Sequence, residues 1–107
     1  MIDAARFAHA LKARRAALSK EVLAIEDALD NPPSKDWEDR AAERQGDEVL
    51  EARGTQDLSE LTRIDAALKR YYDGTYGYCT ICGEEISEDR LLALPETPFC
   101  RTCAKNH

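Results

Sequence analysis

The residues of this chain best suited to chemistry are four cysteines arranged as two pairs. Cys79-x-x-Cys82 is followed, after seventeen intervening residues, by Cys100-x-x-Cys103. Each pair offers two thiolates from one tight turn, and two such knuckles close a tetrahedron around a single Zn²⁺. Four sulfur ligands leave no coordination position for water, so the expected ion is structural and activates no substrate. The competing chemistry is a pair of redox-active dithiols. That reading lacks a dedicated activating histidine beside the thiols and a pocket-forming fold, so the expectation is that the chain is not an enzyme.

A second constellation is "DWEDRAA" at residues 36–42, which sets the only tryptophan between Asp36 and Asp39. Carboxylates at the start of a helix have an ordinary role: Asp36 as N-cap and Asp39 three residues on, both favoured by the helix dipole. Trp37 has two readings, a staple folded over Pro32 or Pro33, or an exposed aromatic anchor for a partner.

These groups must be positioned by helices. Phe7, Leu11, Leu18, Val22, Ile25 and Leu29 recur at spacings of three, four and seven, which predicts a helix from about Asp3 to Asp30. "DNPPS" ends it, because two prolines cannot continue a helix and each turns the preceding residue away from αR. A second helix is expected from about Asp36 to Tyr72. Its stripe is weak at Ala42 and Val49, then firm through Leu58, Leu61, Ile64, Leu68 and Tyr71 or Tyr72. At ~1.5 Å per residue the two would run ~42 and ~54 Å. A five-residue breaker forces them back on each other as an antiparallel, coiled-coil-like hairpin. Gly46 and Gly54 weaken the bend-proximal half of the second helix, and Gly74 in "DGTYGY" is a plausible C′ residue. Residues beyond it are too few to bury a core and need the metal as a staple. The expected fold class is therefore mainly α: a long hairpin over 1–73 with its bend near 30–42, then a Cys₄ finger over 74–107 with a short C-terminal helix.

Charge narrows the functions. The chain has 107 residues, 21 acidic and 15 basic side chains, and a formal net charge of −6. The finger region carries Glu84, Glu85, Glu88, Asp89 and Glu96 against Arg90, Arg101 and Lys105. A reader of the DNA major groove needs the opposite sign, so sequence-specific DNA binding is disfavoured. No signal-peptide h-region and no stretch of membrane-spanning length is found, and paired thiols without disulfide context suit a cytoplasmic protein.

Taken together, Cys79-x-x-Cys82, Ile86, Arg90, Pro95 and Cys100-x-x-Cys103, preceded by "GTYGYC", resemble the zinc finger of the DksA/TraR family. "DWEDRAA" is similar to that family's D-x-x-D-x-A tip, with Asp36, Asp39 and Ala41 at the defining positions. The resemblance implies a bacterial transcription regulator that binds RNA polymerase as a monomer and slides its hairpin into the secondary channel. The acidic tip (Asp36, Trp37, Asp39, Ala41) would then act near the active centre. Arg63 stands where the family has a basic residue facing polymerase, and equally suits a solvated helix face; Arg90 is expected to brace the finger. Leu94 and Ala104 replace basic residues that help hold the alarmone (p)ppGpp, and the chain starts close to the first helix. Weak or absent dependence on (p)ppGpp is therefore expected, since phosphate recognition needs fixed positive charge. The alternatives are a zinc-stabilised helical adaptor for some other protein and, less favoured, a DNA-binding finger.

Overall fold

The computed structural model describes residues 2–30 and 37–105, with backbone alone for 37–43 and 45. Among the described residues four helices occur in the order α1 (Ala4–Leu29), α2 (Trp37–Asp73), α3 (Glu88–Ala93) and α4 (Arg101–Ala104). Among the described residues the β structure is a single antiparallel bridge between Tyr78 and Glu85.

The helix limits have local causes. Asp3 caps α1, its carboxylate accepting from the Arg6 N–H at 3.3 Å. At the far end of α2, Gly74 takes a φ of +81°. Its N–H donates to the Tyr71 carbonyl at 3.2 Å, and the Thr75 N–H donates to the Arg70 carbonyl at 2.8 Å. These are the two bonds of a Schellman motif, which requires a left-handed residue at C′.

Two compact units result. The first comprises residues 1–15 and 62–107, the second residues 16–61. In the first, Phe7, Ala8 and Leu11 of α1 are buried with Ile64, Ala67 and Leu68 of α2, and Tyr76, Cys79, Ile86 and Leu91 extend that core into the finger. Arg15 pairs with Asp65 at 2.6 Å, and Lys12 Nζ lies 5.2 Å from the centre of the Tyr72 ring. Residue numbers rise on one helix as they fall on the other, so the helices are antiparallel.

In the second unit Glu21 pairs with Arg53, and Ile25 lies against Gly54. Asp57 on α2 faces Glu21 on α1, so from Glu21 to Ile25 the facing positions on α2 fall from Asp57 to Gly54 and the sense is again antiparallel, but the core is thin. Leu18 and Ile25 are its buried apolar side chains among the described residues. Burying a leucine fully contributes about 1.5–3 kcal/mol, so this unit draws far less from burial than the first.

The α2 stripe differs from the expected one. Leu58, Val49 and Tyr72 are exposed, and the inward position next to Leu58 is taken by Asp57, 7% exposed. The stripe thus runs through 57, 61, 64 and 67/68. Period counting did not distinguish 57 from 58, because both lie within a helical turn of Leu61.

Candidate metal centre

The first cysteine pair sits in a turn clamped by the backbone. The Cys79 N–H donates to the Glu84 carbonyl at 2.8 Å, the Gly83 N–H to the Cys79 carbonyl at 3.0 Å, and the Ile86 N–H to the Gly77 carbonyl at 2.8 Å. Gly77 itself has a φ of +91°, and a Cβ there would lie 2.6 Å from Ile2 Cδ1. The approach to Cys79 therefore requires glycine on two counts. The second pair opens α4: Cys100 is its N-cap, with its sulfur accepting from the Cys103 N–H at 3.5 Å.

Between the pairs, residues 95–99 are held carbonyl by carbonyl. Tyr76 Oη donates to Pro95, Arg70 to Glu96, the Thr80 N–H to Pro98, and Arg90 Nε to Phe99. Arg90 also reaches Thr97 Oγ1 at 3.3 Å. Its expected bracing role is met directly. Ser87 caps α3, accepting from the Arg90 N–H, which fixes the arginine at the start of that short helix.

The four sulfurs converge. All lie within 4.8 Å of one another, with Cys82 Sγ 3.7 Å from Cys100 Sγ. A tetrahedron with ~2.3 Å metal–sulfur bonds has edges of ~3.8 Å, so the set fits a four-coordinate thiophilic ion. Burial alone would push the Cys79 thiol up, but backbone hydrogen bonds from Cys100, Cys82 and Ile81 hold it down at about 6. Cys103 is pushed up to about 12, chiefly by Cys100 and Cys79. Packed thiols that cannot all ionise unaided are stabilised as thiolates by a cation in their midst.

Of the other predicted site residues, Asp36 lies outside the described residues. Trp37, Asp39 and Ala41 belong by backbone to the first turns of α2, and their side chains lie outside the description. Arg63 is on the exposed side of α2 and does not join the cysteine cluster. Arg70 and Tyr76, which brace the loop between the cysteine pairs, were not singled out from the sequence; only the proximity of "YYDGTYGYC" to Cys79 could have suggested them.

Comparison with known proteins places this geometry. Residues 7–71 match the family described as DnaK suppressor protein-like, N-terminal domain, and residues 74–107 match the prokaryotic dksA/traR C4-type zinc finger. The chain belongs to the DksA/TraR family. Among curated relatives of this DksA/TraR protein, the RNA polymerase-binding transcription factor DksA of Haemophilus influenzae is 32% identical over 85 residues, covering 79% of this chain and 57% of that protein. The chain spans about half the length of the curated relatives it matches first. The solution structure of DnaK suppressor protein from Agrobacterium tumefaciens C58 is 43% identical, with a TM-score of 0.70, covering 100% of this chain and 96% of that one. Transcription factor DksA2 from Pseudomonas aeruginosa shares the fold at a TM-score of 0.77 and 24% identity, over 96% of this chain and 81% of that one. Among the described residues, no helix is long and apolar enough to cross a membrane.

Proposed function

We propose that this chain is a cytoplasmic bacterial transcription regulator that binds RNA polymerase and acts through the bend of its helical hairpin. The observation that carries the reading is the order of two family matches on one chain, hairpin at 7–71 and finger at 74–107. Relatives that share both parts carry the name RNA polymerase-binding transcription factor. The functional division is 1–73 as the hairpin that enters the secondary channel and 74–107 as its base.

In this reading one Zn²⁺ is held by Cys79, Cys82, Cys100 and Cys103. With all four positions taken by sulfur, the ion fixes the finger and activates no water. Asp36, Trp37, Asp39 and Ala41 form the working tip, and Arg63 is a polymerase contact on α2. The tip carries no chemistry of its own; it alters polymerase by charge and shape at the active centre. A net charge of −6 favours association with a basic channel mouth. Leu94 and Ala104 supply no cation for phosphate, so (p)ppGpp contributes little.

The test is initiation by purified polymerase with wild-type protein and with Asp39→Asn. The variant should still bind polymerase while its effect on initiation is lost. Normal regulation by Asp39→Asn rules out an active tip carboxylate, and failure of the wild type to bind polymerase rules out the partner.

A further inference from the structure

The helix seam of the second unit contains a carboxyl group that neither the metal centre nor the tip uses. Asp57 is 7% exposed, and its Oδ2 is fully buried without a hydrogen-bond partner. The groups around it are charged. Glu21 faces it from α1, and Arg53 and Glu60 lie one turn before and one turn after it on α2. Arg53 Nε is engaged by Glu21 Oε1, so the nearest cation is committed across the seam to the other acid.

Two ionised carboxylates in that position present acceptors to acceptors and like charge to like charge. A neutral Asp57 presents one hydroxyl donor to Glu21 and keeps a single charge for Arg53 to balance. Stability alone does not explain the choice of residue. The neighbouring Leu58 points outward at 52% exposure, whereas a seam selected only for burial would turn its leucine inward.

We propose that Asp57 and Glu21 form a proton-sharing latch between α1 and α2 of the second unit, closed while Asp57 is neutral and loosened when it ionises. Burial, then the hydrogen bond and charge of Glu21, push the Asp57 carboxyl above its ordinary value; Arg53 opposes the shift and Glu60 adds to it. A carboxyl group raised in the folded state favours folding below its ordinary titration range. That contribution is lost as pH rises through the raised value. The latch therefore tightens the second unit on acidification, and this is the unit that holds the end of α1 at Leu29 and the start of α2 at Trp37.

The experiment uses the full zinc-loaded chain. Thermal melts of wild type and Asp57→Asn are compared from about pH 4, near the ordinary carboxyl value, to about pH 7; both share the cysteine chemistry, so their difference isolates the latch. The Tm difference should move by several degrees in favour of the variant as pH rises. A difference that does not change with pH overturns the proposal. Independently, a carbon-13 NMR titration of the folded wild type should place the Asp57 midpoint above the ordinary value of about 3.9, falling back toward it in Glu21→Gln. A midpoint at or below the ordinary value overturns the latch, whatever the melts show.

Discussion

The hydroxyl of Tyr76 donates to the carbonyl oxygen of Pro95 at 2.9 Å, tying the segment that leads into the first cysteine pair to the loop that leads into the second. The Tyr76 ring lies 6.0 Å from that of Phe7, so one side chain joins the α1 core to the finger. The two knuckles are thus held relative to each other by contacts outside the cysteine cluster.

Tyr76→Phe should retain the ring packing and lose the bond, lowering stability by about 0.5–1.5 kcal/mol. Denaturant melts of the zinc-loaded protein measure this. Burial pushes the Tyr76 phenol up to about 12. The hydroxyl therefore remains a donor through neutral pH, and in an ultraviolet titration the Tyr76 phenolate, absent from Tyr76→Phe, should appear only at strongly alkaline pH.

Two glycines should respond oppositely to alanine. Gly77→Ala forces a side chain onto a φ of +91° and into Ile2 Cδ1, at a cost of about 1–3 kcal/mol. Gly46 lies in α2 with nothing within 4 Å of an added Cβ, so Gly46→Ala should stabilise by about 0.5–1 kcal/mol. Equal effects in melting experiments would contradict the described backbone at Gly77 or the helical state of Gly46.

Zinc binding should release protons, because the Cys103 thiol, held up at about 12 by its neighbours, must ionise to coordinate. Competition with a chromophoric chelator should show affinity falling as pH falls. Cys100→Ser removes a ligand and replaces the sulfur at the N-cap of α4, and it should abolish stoichiometric zinc. A variant that keeps one zinc per chain would remove Cys100 from the ligand set.

Sequence patterns reached some of this architecture and missed the rest for identifiable reasons. The end of α2 was legible because Gly74 acts on the backbone locally, and the break after α1 because a proline pair cannot continue a helix. The cysteine cluster was legible because ligand spacing encodes a turn. Asp57 was not, since a carboxylate facing the seam contradicts the rule that apolar residues point inward, and Leu58 beside it satisfied the count. The bracing of residues 95–99 was also hidden. Arg70 and Tyr76 meet carbonyls more than fifteen residues away, and a carbonyl carries no sequence signature.

The central claim is that the hairpin bend reaches the interior of RNA polymerase, and a photoreactive amino acid at residue 39 tests it most directly. Irradiation of the complex with purified bacterial polymerase, followed by peptide mapping, should place the crosslinks on residues lining the secondary channel close to the active centre. Crosslinks confined to the outer surface of polymerase, or none despite stable binding, would contradict the account.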